Sequence, residues 1–336
     1  AIFDLVKPVS GSDGMVPIGW NVMTGKPLHG NDKGLGSGAD SFYEYLLKVP
    51  VLNGCLEESR DRKDSCVSVD KEMLELYRTV VQEALRTQHV ATAMVDNEEI
   101  SFPVDNHSFY HHLLCFLPGL LALGSMNEDK AASVDLELAQ NLVAGCHASY
   151  RLSKTGLGAE SAIIRESSAS LQMIFQTDNP SHQLRPEYVE SLFVLYRVTK
   201  DEKYQDMAWD IFQRLEEHCR VEGGGYANLA SVDHGTKADD MPSYFLAETL
   251  KYLLLIFAPE DYISLNDFVF TTEGHPLRKI QNLGRPCQGQ APPVPIPWTL
   301  LTVVLILGFV TWVVFSLAVI LFQICRGTNV KIKKHE

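Results

Sequence analysis

Basic residues are scarce in this chain. Lys and Arg number 29 against 42 Asp and Glu, a net charge of −13 with histidines neutral. A surface of that sign excludes nucleic acid as a partner, because phosphate recognition needs a basic face. Strand-type alternation is sparse as well, and only the stretches around Gly223-Gly224-Gly225-Tyr226 and Val269-Phe270 read as hairpins. No charged stretch followed by a short apolar run opens the sequence, which starts at Ala1 rather than Met. It reads as a chain truncated at its start. Apolar residues, by contrast, make up 46% and charged residues 21%, enough for a well-packed core.

What the chain has in quantity is helical periodicity. The segment 68–90 places Met73, Leu76, Val80, Val81 and Leu85 on one face. Segment 112–124, HLLCFLPGLLALG, is apolar all round and is expected to be buried. Helices are also expected at 41–52, 134–152, 186–200 (with Pro186 in the first turn), 201–219 with an acidic first turn, and 242–258. Short polar connections separate them. Paired helices, some fully and some half buried, predict an all-α toroid of concentric helices. The chain supplies about three and a half pairs, fewer than the six or seven of a closed ring.

The C-terminal part differs in composition. Residues 281–297 are rich in proline and glycine and read as a linker. From Trp298 to Cys325 no residue is charged, and a run of that length spans about 30 Å of hydrocarbon with some tilt. It reads as one transmembrane helix. Arg326, Lys331, Lys333 and Lys334 follow it against a single acid, Glu336. Positive charge stays on the cytoplasmic side, so residues 1–280 are expected in the lumen and 326–336 in the cytoplasm. The final Lys333-Lys334-His335-Glu336 resembles the dilysine signal that retrieves type I membrane proteins from the Golgi to the endoplasmic reticulum. Six of the seven cysteines precede the span, an even number suited to an oxidising compartment. Cys55 and Cys66 bracket a charged loop, and spacing alone leaves the pairing open. Asn106-His107-Ser108 is a glycosylation sequon, whereas Asn179-Pro180-Ser181 is excluded by its proline.

Three segments bring acids together with special backbone chemistry. Gly34-Leu35-Gly36-Ser37-Gly38-Ala39-Asp40 puts an aspartate at a helix entry, where capping is the ordinary role. Arg185-Pro186-Glu187-Tyr188-Val189-Glu190 sets two glutamates three apart on one helix face. Thr271-Thr272-Glu273-Gly274-His275-Pro276 forms the third. Each is weak alone.

In this order, together with LGSGADSFYEYLLK (35–48), HLLCFLPGLLALG (112–124), LRPEYVESLFVLYRVTKDEKYQDMAWDIF (184–212), SYFLAETLKYLLLIF (243–257) and VFTTEGHPL (269–277), they resemble glycoside hydrolase family 47, the class I α-1,2-mannosidases, over residues 20–280. The resemblance implies an (αα)7 barrel, of which this chain holds the C-terminal part. It implies high-mannose N-glycans as substrate and Ca2+ as cofactor. By position, Asp40 matches a catalytic carboxylate and Glu187 the base that activates water. His112, Arg185, Glu190, Tyr244 and Glu248 match residues lining the sugar pocket. Thr272 matches the calcium-binding threonine, Glu273 an acid near the ion that acts through water, and Cys115–Cys146 the family disulfide. Inverting hydrolysis needs two carboxyl groups about 6.5–9.5 Å apart, with water between. Calcium takes six to eight oxygens, so waters and sugar hydroxyls would have to complete the threonine's shell. The family's general-acid glutamate comes from the first half of its barrel and has no counterpart here, so the chain as it stands is expected to be inactive. Gly274 replaces a usual alanine, His111 an aspartate, and Ala159 a proline. The alternative implied by the resemblance is a glycan-binding factor in disposal of misfolded glycoproteins, like the family's degradation-enhancing branch.

Overall fold

A computed structural model describes residues 3, 10–28, 33–55, 67–126, 132–168 and 172–280. The linker at 281–297, the span at 298–325, the tail at 326–336, and Cys66, Cys287 and Cys325 all lie outside the described residues. Among the described residues, no helix is long and apolar enough to cross a membrane.

The helices follow the apolar periodicity closely. Helix α1 (Asp40–Leu52) starts where the Gly36 carbonyl accepts the N–H groups of Ala39 and Asp40. It buries Tyr43, Leu46, Leu47 and Val51, and it ends at Asn53. Gly54 follows with φ +78°, the left-handed residue that commonly stops a helix. Helix α2 (Ser68–Thr79) continues through a wide turn at Val80–Leu85 and a last turn at Arg86–Gln88. Leu76, Val80, Val81 and Leu85 are buried as expected, and Met73 packs at the core's edge.

A tight turn, His112–Phe116, leads into α3 (Leu117–Gly124), whose first seven residues are all buried. Each leucine so buried contributes about 1.5–3 kcal/mol. Helix α4 (Ala132–Arg151) returns alongside. The next pair is α5 (Glu187–Thr199) and α6 (Lys203–Arg214), the latter extended by a wide turn at Leu215–Cys219. Lys200, at φ +61°, makes the sharp reversal between them. A wide turn at Phe245–Thr249 opens α7 (Leu250–Phe257).

Helix α5 lies at the centre of this packing, against α3, α4, α6 and α7. Its approach to α3 is close because Gly119 has no side chain. A Cβ there would stand 2.9 Å from Ser191 Oγ and 3.0 Å from Ser191 Cα. Ser191 Oγ instead accepts the Gly119 N–H at 2.8 Å and donates to the Cys115 carbonyl. Cys115 and Cys146 are joined in a disulfide, tying the turn before α3 to α4. Cys55 is also in a disulfide, and Cys219 is free and buried.

Short antiparallel sheets fringe the helices. β1 (Trp20–Asn21) pairs β2 (Lys26–Pro27), β3 (Val90–Val95) pairs β4 (Glu98–Pro103), and β5 (Phe109–His111), β6 (Ser161–Glu166) and β7 (Met173–Asn179) form a three-stranded sheet. β8 (Leu229–Ser231) pairs β9 (Thr236–Lys237), and β10 (Phe268–Phe270) pairs β11 (Pro276–Arg278). The expected hairpin at Val269-Phe270 is present. At Gly223–Gly225 only an isolated bridge, Arg220 to Tyr226, forms. Asn106 and His107 sit exposed in a left-handed turn, which leaves the sequon on the surface.

Candidate active site

The glycine-rich loop before α1 is pinned by one carboxylate. Asp105 accepts the N–H of Leu35 at 2.9 Å and of Gly36 at 3.2 Å. Its oxygens also lie 3.0 Å from His111 Nε2 and 3.1 Å from His89 Nδ1. Burial would raise its pKa, but the two histidine bonds and the Leu35 N–H outweigh it and hold the carboxyl far below the carboxylate range. Position 36 must be glycine, since a Cβ would fall 1.9 Å from the His111 ring. His111 is therefore part of the scaffold that aims the loop.

That loop delivers Asp40 to the first turn of α1. Asp40 does not cap the helix, because the N-cap is Ala39. Its Oδ1 instead accepts the neighbouring Ser41 N–H at 2.7 Å. Burial, with the charge of Glu187 added, pushes Asp40 above its ordinary pKa against the pull of that N–H. Glu44 and Lys48 follow at four-residue intervals on the same face. Lys48 is buried, donates to Glu44, and reaches Glu190 at 3.3 Å. Tyr252 donates to the same Glu190 oxygen at 3.3 Å.

The second contribution comes from the entry to α5. Leu184 is fully buried at φ +56°, a costly backbone for a residue with a branched side chain. Two side chains from the 244–249 turn hold it there. Thr249 Oγ1 donates to the Leu184 carbonyl at 2.7 Å and the Tyr244 hydroxyl to the Gln183 carbonyl at 2.8 Å. Arg185 then pairs with Glu160 at 2.7 Å. Glu187 opens the helix, its Oε2 2.9 Å from His112 Nδ1, and His112 Nε2 lies 2.8 Å from the Tyr150 hydroxyl. Burial alone would raise the Glu187 pKa. The His112 hydrogen bond and the Arg185 charge outweigh it, and Glu187 is held below the ordinary glutamate value. It is an ionised acceptor at neutral pH.

The third side of the site is the 244–249 turn and the β10–β11 hairpin. Thr272 Oγ1 lies 3.3 Å from the Tyr45 hydroxyl. The hairpin turn is fastened by Lys251, which donates to the Gly274 carbonyl at 2.8 Å. Burial raises Glu248 to about 8, and the charges of Glu190, Glu273 and Glu187 add to the shift.

These elements enclose a cavity of about 250 Å3 that six acidic side chains line: Asp40, Glu44, Glu187, Glu190, Glu248 and Glu273. Arg185, Tyr244 and Thr272 complete much of the wall. Residues from the three acid-bearing segments, more than 200 positions apart at the extremes, thus share one space. His112, expected to line the pocket, instead supports Glu187 from behind. Tyr244 lines the cavity, but its hydroxyl is committed to the backbone. Sequence reasoning missed Glu44, Lys48, Glu160 and Tyr150. Among the described residues no group of three or more His, Cys, Asp or Glu stands ready to hold a metal ion directly. The surplus of oxygen donors nonetheless suits a hard cation reached partly through water.

The family model for glycosyl hydrolase family 47 matches residues 2–279. A mannosyl-oligosaccharide 1,2-alpha-mannosidase of Arabidopsis thaliana is 35% identical over 305 residues, covering 81% of this chain and 47% of the relative. The endoplasmic reticulum mannosyl-oligosaccharide 1,2-alpha-mannosidase of Homo sapiens is 37% identical over 271 residues, covering 79% of this chain and 37% of the relative. The chain thus spans about half, or less, of the length of these relatives. An alpha-1,2-mannosidase structure from Trichoderma reesei superposes with a TM-score of 0.61 at 24% identity, covering 73% of this chain and 52% of that one. That likeness establishes the helical fold. By sequence, this chain belongs to glycosyl hydrolase family 47.

Proposed function

We propose that the chain is the C-terminal, base-bearing portion of an inverting α-1,2-mannosidase that trims high-mannose N-glycans in the endoplasmic reticulum lumen. One observation carries this reading: Glu187 is kept ionised by His112 in a cavity it shares with Asp40. Glu187 takes a proton from water, and Asp40 holds that water from the opposite helix. Arg185, Glu190 and Glu248 bind sugar hydroxyls. Inversion requires an acid on the leaving oxygen. The general-acid glutamate that the resemblance places in the first half of the barrel has no counterpart in this chain, so the chain alone binds glycan and hydrolysis belongs to a form that carries that acid.

Calcium fits the site by its chemistry. Thr272 would hold the ion through its hydroxyl and carbonyl oxygens, with Glu273 reaching it through water. When bound, the ion supplies positive charge that screens the crowded carboxylates and orients sugar hydroxyls. The endoplasmic reticulum assignment draws on the names of relatives and on the Lys333-Lys334 tail. The membrane span at 298–325 and its type I orientation remain part of the same proposal.

Titration calorimetry of the chain with α-1,2-mannobiose, with and without calcium, tests the reading. Calcium-dependent binding that is lost in Arg185→Ala is expected. No binding under either condition would refute it.

A further inference from the structure

Tyr150 belongs to two places. Its hydroxyl meets His112, and the same residue lines a second cavity of about 250 Å3 outside the candidate active site. Three permanent cations converge on this second cavity: Arg151 at the end of α4, Lys154 in the following turn, and Arg214 at the end of α6. Asp210 is the carboxylate among the described lining residues, and Asp96 and Glu217, outside the lining, face Arg151 and Arg214. The lining itself carries more cations than carboxylates, in a chain of net charge −13.

The partners of these cations leave capacity to spare. Arg151 pairs at the rim with the exposed Asp96. Arg214 Nε is shielded from solvent and makes no hydrogen bond. That same Nε is ion-paired with Asp210 Oδ1 at 3.4 Å without hydrogen-bond geometry, and Nη1 lies 3.7 Å from Glu217 Oε2. Backbone geometry makes room for the guanidinium. Gly156 has φ +72°, and a Cβ there would stand 2.9 Å from Arg214 Nε and press on the guanidinium. His147 completes the wall, held by a 2.8 Å hydrogen bond to the Tyr188 hydroxyl. Burial and the charge of Arg151 keep its imidazole below the ordinary histidine pKa, against a smaller pull from Asp210. A neutral ring adds hydrogen-bonding capacity there.

We propose that this cavity binds a phosphate group, free or esterified to a hexose. A phosphate carries about −1.5 to −2 charges at neutral pH and matches the arginine fork. The cavity is larger than the bare ion needs, which leaves space for a sugar ring. The inference stands independently of the mannosidase reading.

The test is NMR titration of the histidine ring protons of the whole chain at constant ionic strength, with inorganic phosphate, mannose 6-phosphate and mannose as probes. Phosphate should shift the His147 signals saturably and raise the imidazole pKa, as a nearby anion must. Arg214→Gln and Lys154→Gln should each weaken this by about tenfold or more. Mannose 6-phosphate binding at least about tenfold tighter than phosphate assigns the sugar-borne form, and equal affinities assign the free ion. Absence of saturable binding of either phosphate probe, or binding undiminished in both variants, overturns the proposal.

Discussion

His112 stands between Glu187 and Tyr150, 2.9 Å from one and 2.8 Å from the other. An ionised carboxylate only accepts, so His112 donates to it from Nδ1, while its Nε2 is anchored by the Tyr150 hydroxyl. The ring orients Glu187 and keeps it charged in a place where burial favours the neutral acid. In an active full-length form, His112→Ala should therefore move the acidic limb of the pH–rate profile upward. Loss of the hydrogen bond leaves burial as the dominant influence, and the base stays protonated to a higher pH. Glu187→Gln should lower kcat by several orders of magnitude at every pH. An unmoved limb in His112→Ala would show that the histidine does not set the Glu187 charge.

Lys48 lies between two acids with little solvent to help. Its side chain is 6% exposed, beside Glu44 at 8% and Glu190 at 12%. Lys48→Met keeps much of the volume and removes the charge, leaving Glu190, and Glu44 whose pKa burial already raises to about 7, without a counterion. Removing one partner from a buried ion pair costs about 3–5 kcal/mol. Urea unfolding at pH 7 should show a loss of that order. A loss under about 1 kcal/mol would mean that water reaches the pair and screens it.

Gly274 carries φ +68° in the hairpin turn, and a Cβ there would stand 3.0 Å from Glu248 Cγ. Gly274→Ala should cost about 1–2 kcal/mol for the left-handed backbone and should push Glu248 away from the turn. Chemical denaturation measures the first effect, and calorimetric sugar affinity the second. Unchanged stability would show that the turn relaxes to suit the larger residue.

The helices were legible because burial imposes a 3.6-residue period, and α2 to α7 lie within a few residues of the expected segments. The β3–β4 hairpin was not anticipated. Its strands have mixed exposure, and its reversal uses Asp96 and Asn97, both left-handed, a turn the Asp-Asn pair could have signalled. Within the site, Glu44 and Lys48 were visible in principle, since Asp40, Glu44 and Lys48 recur every four residues on one helix face. Glu160 was not. It meets Arg185 from a turn 25 residues away, and nothing local marks it. The displaced role of His112 has the same origin, because its partners lie 38 and 75 residues away in sequence.

His182 gives the fold a built-in acid sensitivity. The ring is 3% exposed and donates from Nδ1 to the Gly158 carbonyl at 2.8 Å. Burial, with the nearby His112 and Arg185, lowers its pKa from 6.5 to about 4 despite that carbonyl. The unfolded chain therefore takes up a proton near pH 6.5, whereas the folded chain resists until about 4. Stability present above pH 6.5 is lost as pH falls through that window and levels off below it. By pH 5 the loss is about 2 kcal/mol, at 1.36 kcal/mol per unit. His182→Gln retains an N–H donor for Gly158 and removes the titration. Comparing urea unfolding of the two proteins at pH 7 and pH 5 separates His182 from the many carboxylates that titrate in both. A difference of that size between their pH dependences is expected, and identical dependences would mean that His182 protonates as readily folded as unfolded.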